Sequence, residues 1–165
     1  MLSECIMASP VGELTLVASE HGLRAVLWAE EREGRVPLPE RRDDPAHAVL
    51  AEALRQLTGY FAGERRVFDL PLDPVGTDFQ KSVWIGLNAI PYGETRSYAA
   101  LAAAIGRPGA SRAVGAANGR NPLSIVTPCH RVIGADGTLT GFAGGLAVKR
   151  WLLAHERGEP ALTLA

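Results

Sequence analysis

Apolar and other residues alternate along the first thirty positions, the period of a strand with one buried face. The runs are Leu2 to Ala8, Glu13 to Ala18 and Leu23 to Trp28, separated by Ser9-Pro10-Val11-Gly12 and Ser19-Glu20-His21-Gly22. Each separator ends in Gly, where a tight turn needs it, so the pattern predicts an antiparallel meander. Residues 30 to 45, rich in Glu, Arg, Asp and Pro, read as a solvated loop. Ala46, Val49, Leu50, Ala53, Leu54, Leu57 and Phe61 then repeat with helical spacing, which predicts a helix covering one face of the sheet. Val67 to Leu72, bounded by Pro71 and Pro74, reads as an edge strand.

The pattern changes at Gly76. Thr77 with Gln80 three positions on is the signature that satisfies orphan backbone donors at a helix start, and Phe79, Val83, Trp84, Leu87 and Ile90 supply a buried stripe. Pro91-Tyr92-Gly93 ends that helix. Ser97 caps a second one over Tyr98 to Ile105, Gly106-Arg107-Pro108-Gly109 turns the chain, and a small-residue helix runs from Ala110 to Asn118. Two short helices joined by a Gly-containing turn outline a helix-turn-helix, although many helical hairpins bind nothing. A last helix, Leu146 to His155, carries Trp151 and Leu152 into a core.

Length and charge narrow the function classes. The chain has 165 residues, 47% of them hydrophobic, enough for one domain or two small ones. It holds no run near the roughly 20 apolar residues of a membrane span, and Met1 to Pro10 lacks the build of a signal peptide, so the expected compartment is the cytoplasm. The formal charge of −1 argues against a general nucleic-acid binder. The halves differ: residues 1–75 carry 8 − 13 = −5, and residues 76–165 carry 9 − 5 = +4. A DNA-binding surface, if present, belongs to the second half. The two cysteines, Cys5 and Cys129, make neither a disulfide framework nor a Cys-x-x-Cys pair. His21, His47, His130 and His155 form no ligand set with Cys5, so no metal is expected, and Cys5 reads as a buried strand residue.

Chemistry concentrates in Asn121-Pro122-Leu123-Ser124-Ile125-Val126-Thr127-Pro128-Cys129-His130-Arg131-Val132. A thiol attacks as its thiolate, and a neighbouring imidazole or cation favours that form. Adjacency is a poor warrant by itself: consecutive side chains on a strand point opposite ways, and a lone Cys is more often a small core residue.

The run from Gly76 to Glu156 resembles the 6-O-alkylguanine-DNA alkyltransferase family at an ordered set of elements. These are Gly76-Thr77-Asp78-Phe79-Gln80 with Val83-Trp84, Ile90-Pro91-Tyr92-Gly93-Glu94-Thr95 with Ser97-Tyr98, Arg112-Ala113-Val114-Gly115, Asn121-Pro122, and Pro128-Cys129-His130-Arg131-Val132. Gly144-Gly145 and Leu152-Leu153-Ala154-His155-Glu156 follow at family-like distances; the first half matches mainly in layout. The resemblance implies an α+β fold. Residues 1–75 would form a small antiparallel sheet-and-helix domain packed on a helical domain, residues 76–165, with a winged-helix-like helix-turn-helix. It implies a DNA repair activity in which the base is flipped out and its alkyl group passes irreversibly to Cys129, one event per molecule, on 6-O-methylguanine and 4-O-methylthymine.

The resemblance also assigns roles. Cys129 would be the acceptor, His130 would take its proton through a water, Glu156 would orient His130, Tyr98 would assist departure of the guanine oxygen, and Asn121 would tie the helix-turn-helix to the Cys segment. Arg112 would fill the space left by the flipped base, while the small residues Ala113, Gly115, Ala116 and Ala117 would let their helix approach the minor groove. Val132, Phe142, Ala143 and Gly144, within the reach of the Thr140 to Gly145 loop, would line the pocket. Phe142 stands where the family commonly has Tyr, which keeps the ring and loses a hydroxyl. No cofactor is implied. The expected partner is double-stranded DNA containing alkylated guanine, bound by a monomer that could assemble cooperatively along DNA. Two other readings compete: a lesion-binding module, which would lack the acceptor Cys, and a thiol hydrolase built on Cys129, His130 and Glu156, which would turn over repeatedly. A methyl-triggered transcription factor would need further amino-terminal domains.

Overall fold

In the computed structural model, which describes residues 1–160 and 164, the chain forms two compact units. One comprises Met1–Val75 with Pro122–Val126, the other Gly76–Asn121 with Thr127–Ala165.

The first unit is built on β1 (Leu2–Met7), β2 (Leu14–Ala18), β3 (Leu23–Trp28) and β4 (Arg41–Asp43), in the order β3-β2-β1-β4. The meander appears as expected, with antiparallel β1/β2 and β2/β3 pairs. The sheet is nevertheless mixed and not purely antiparallel, because β4 runs parallel to β1, pairing Leu2 with Arg41 and Glu4 with Asp43. Part of the expected solvated loop is thus an edge strand. Its Arg-Arg-Asp sequence carries no apolar alternation, and pairing rests on backbone groups with Arg41 Nε 3.4 Å from Glu4 Oε2.

Helix α1 (Ala48–Phe61) starts after His47, whose Nδ1 accepts from Val49 N, and it buries Leu50, Ala53, Leu57 and Tyr60 toward the sheet. The expected edge strand at Val67 to Leu72 shrinks to one bridge, Leu23 with Leu72. Pro71 and Pro74 have no N–H to extend a ladder. Gly22 is required here by proximity, since a Cβ would lie 2.6 Å from the Pro71 carbonyl oxygen.

Residues 122–126 bridge β3 through Val26 N to Pro122 O at 2.8 Å. They end in a tight turn in which Val126 N donates to Ser124 O at 2.8 Å and Ile125 takes a φ of 72°. A β-branched residue avoids that region; Ile125 is held in it with its side chain buried, 1% exposed.

The second unit contains α2 (Asp78–Asn88), α3 (Tyr98–Ala104), α4 (Ser111–Gly119) and α5 (Leu146–Glu156). The capping box at Thr77 and Gln80 is present in both directions, and Ser97 caps α3 by accepting from Ala100 N. Gly106 and Gly109, with φ of 78° and 88°, turn α3 into α4, so the helix-turn-helix forms where the small-residue pattern places it. Val83, Trp84, Leu87, Leu101, Val114 and Val132 belong to one buried cluster that also contains Cys129. A short parallel pair that the pattern does not reveal, β5 (Arg96–Ser97) with β6 (Val132–Ile133), ties the start of α3 to the residues after Cys129. Among the described residues no helix is long and apolar enough to cross a membrane.

Candidate active site

Cys129, His130 and Arg131 form a single 3-10 turn. The turn is approached through a bend at Pro128 (φ −82°, ψ 66°), closed by Cys129 N donating to Thr127 O at 2.8 Å. This removes the objection that neighbours on a strand diverge. In a 3-10 turn successive side chains step by about 120° and not the roughly 180° of a strand, and His130 and Arg131 meet one partner.

That partner is Glu156, at the end of α5. His130 Nε2 lies 2.6 Å from Glu156 Oε2, Arg131 Nε donates to Oε1 at 2.7 Å, and Arg131 NH2 donates to Oε2 at 3.1 Å. Arg131 NH1 also donates to Ile90 O at 2.7 Å, and Gly93 N reaches Glu156 Oε1 at 3.4 Å. All three side chains are buried, His130 completely.

Burial raises the Glu156 carboxyl's affinity for a proton, but hydrogen bonds from His130 and Arg131, together with the guanidinium charge, outweigh it and hold the carboxyl well below the usual carboxylate range. Burial also pushes the His130 imidazole below its ordinary value, against the pull of Glu156. With Arg131 neutralising the carboxylate, His130 is neutral. A carboxylate only accepts, so the imidazole hydrogen sits on Nε2 and Nδ1 carries the lone pair. Nδ1 is buried and has no hydrogen-bond partner among the described residues.

Cys129 is 5% exposed. Fully buried Lys149 donates from Nζ to Val132 O at 2.6 Å. Desolvation lowers its proton affinity, while charge on Cys129 pulls the other way. Asn121 Nδ2 donates to Thr127 O at 2.8 Å, bracing the approach to the turn. Tyr98, the first residue of α3, places its hydroxyl 2.5 Å from Thr140 Oγ1. Phe142 packs half-buried against the core cluster, Val132 is buried, Gly144 is half-buried and Ala143 is exposed.

On α4, Arg112, Ala113 and Ala116 are exposed and Gly115 is half-buried. The expectation that Ala117 shares this face is corrected. It is 3% exposed, lies in the core cluster, and its carbonyl accepts from Trp84 Nε1 at 2.9 Å. Helical spacing puts it with Val114 on the inward side.

Sequence reasoning passed over Arg131 as an anchor and Lys149 altogether. A signal for Lys149 existed: positions 149, 152, 153 and 156 form one helical stripe, and a stripe reading Lys-Leu-Leu-Glu places two ionisable groups on a buried face. Among the described residues no group of three or more His, Cys, Asp or Glu side chains could hold a metal ion.

Two family models match the chain: the ribonuclease-like domain of 6-O-methylguanine DNA methyltransferase over residues 3–74 and its DNA binding domain over residues 78–158. The chain belongs to the 6-O-methylguanine DNA methyltransferase family. A relative named methylated-DNA–protein-cysteine methyltransferase, from Methanosarcina acetivorans, is 50% identical over 151 residues, 92% of this chain and 96% of its own. One of the same name from Mycobacterium tuberculosis is 51% identical, covering 92% and 90%. Among solved structures of the family, Mycobacterium tuberculosis OGT in complex with DNA superposes with a TM-score of 0.87 at 48% identity, covering 96% of both chains.

Proposed function

We propose that this chain repairs alkylated DNA by direct reversal, moving the alkyl group from the 6-oxygen of guanine to Cys129 in a single turnover. The observation that carries the reading is the buried Cys129 turn, in which neutral His130, oriented by Glu156 and Arg131, offers an unpartnered Nδ1. A water on Nδ1 would relay the thiol proton to His130. The sulfur then attacks the alkyl carbon, the S–C bond forms as the C–O bond breaks, and the electron pair passes to the guanine ring. Tyr98 donates to the departing base as its charge develops. A thioether is not hydrolysed, so Cys129 is consumed and no cofactor is required.

The reading assigns α4 to DNA. Exposed Arg112 fills the gap left by the flipped nucleotide, and Ala113, Gly115 and Ala116 permit close approach to the minor groove. Val132, Phe142, Ala143 and Gly144 line the pocket, and Asn121 holds the Cys segment. Residues 76–165 act as the DNA-binding and acceptor domain and residues 1–75 as its companion. The partner is double-stranded DNA bearing alkylated guanine, met by a monomer in the cytoplasm. The retained acceptor Cys129 sets the reading apart from a lesion-binding module.

The test mixes the protein with duplex DNA carrying one 6-O-methylguanine whose methyl is radiolabelled. Label is expected to reach about one methyl per protein and to map to Cys129, and Cys129→Ala is expected to accept none while still binding the duplex. Binding without transfer by the unmodified protein would refute the reading, as would repeated turnover.

A further inference from the structure

The Tyr98 hydroxyl does not stand alone, and its partner has no part in the transfer chemistry described above. Thr140 lies 42 positions away in sequence, yet its Oγ1 is 2.5 Å from Tyr98 Oη, with both side chains partly buried. The Tyr98 ring is also fixed from the side. A Cβ at Gly115 would meet its Cδ1 and Cε1 at 3.7 Å, so the ring lies against the α4 backbone at a position without a side chain. It packs on the same core cluster as Phe142, two residues beyond Thr140. Ring position is therefore set by α4 and the core, and what remains free is the torsion that aims the phenolic hydrogen.

We infer that Thr140 is a positioning residue for this reaction: its hydroxyl donates to Tyr98 Oη and thereby directs the phenolic hydrogen at the departing guanine. The inference rests on the transfer reaction proposed above. Each hydroxyl carries one hydrogen, and either of the two in contact can be the donor. If the phenol donates to Thr140, it has nothing to offer the base. Once guanine accepts the phenolic hydrogen, Tyr98 Oη can keep its contact with Thr140 only as an acceptor, so the pair becomes a directed chain from Thr140 through Tyr98 to guanine. Each bond in such a chain polarises the next, which strengthens the terminal donor as the C–O bond breaks and negative charge gathers on the ring. A β-branched side chain suits the task, because its χ1 is stiff.

Single-turnover transfer from duplex DNA containing 6-O-methylguanine tests this with Thr140→Val, which keeps the shape and removes the hydroxyl. The saturating rate is expected to fall about tenfold, the loss of roughly one hydrogen bond felt in the transition state. The half-saturating DNA concentration should move by less than about twofold, and Thr140→Ser should restore most of the rate. The decisive comparison is with Tyr98→Phe: in that background Thr140→Val should cost nothing further, since Thr140 acts only through the phenol. Equal losses in both backgrounds, a loss confined to half-saturation, or an unchanged rate would each overturn the inference. Thr140→Ala, scored identically, serves if Thr140→Val melts early. Should the unsubstituted protein transfer no methyl at all, the proposed function fails first and the fault does not lie with Thr140.

Discussion

His130 sits where two forces oppose: burial disfavours its charged form and Glu156 favours it. Burial prevails, and the consequence for stability has a definite sign. A histidine whose folded-state proton affinity lies below its ordinary value takes up its proton in the unfolded chain first. Stability is therefore greatest above the ordinary value near 6.5 and declines as pH falls through it. Glu156, held low, adds a second decline: its contribution is complete above about pH 4.3 and is lost below. Melting temperature is expected to fall between about pH 7.5 and about pH 5.5, and His130→Asn should flatten that limb. Calorimetry across this range checks it; an unaltered slope in the variant would mean that other groups carry the dependence.

Among the elements, α2 shows how a helix start can brace a core. Thr77 and Gln80 cap each other's backbone donors, and Trp84, one turn further on, reaches across to the Ala117 carbonyl. Gly76 is where these meet: a Cβ there would lie 2.5 Å from the Trp84 ring and 2.8 Å from Gln80 Oε1. Neither neighbour can yield without losing its hydrogen bond. Gly76→Ala is thus expected to cost about 2 kcal/mol, an overpacking penalty, and to lower the melting temperature by about 4–8 °C. Such helices were legible beforehand, because a stripe at 3.6-residue spacing and a Thr-x-x-Gln start are local signals. β4 and the β5/β6 pair were not, since strands of two or three residues have too little pattern and pair with chain far away in sequence. Ala117 was misread for a related reason: in a helix of small residues the covered side is marked by Val114, three positions earlier.

At the scale of the molecule, the acceptor is also a packing residue. Cys129 belongs to the core cluster with Val83, Trp84 and Val132, so a methyl on its sulfur enters space already filled. The methylated protein is expected to lose about 1–3 kcal/mol and to melt a few degrees lower than the unmodified form. Comparing the two by scanning calorimetry after stoichiometric transfer checks this, and coincident melts would show that the site has room to spare.

From the sequence alone came the chemical types, the helix stripes and the caps, because each depends on residues within a turn or two of one another. Cys129, His130, Glu156, Tyr98 and Asn121 stand out there only through resemblance and spacing. Tertiary structure decided which of their atoms meet: His130 and Arg131 on Glu156 across 26 and 25 positions, Tyr98 on Thr140 across 42, and Lys149 buried against Val132. Hydrogen bonds need partners within about 3 Å and correctly aimed, and over such separations that depends on the path of the whole backbone, which no local pattern records.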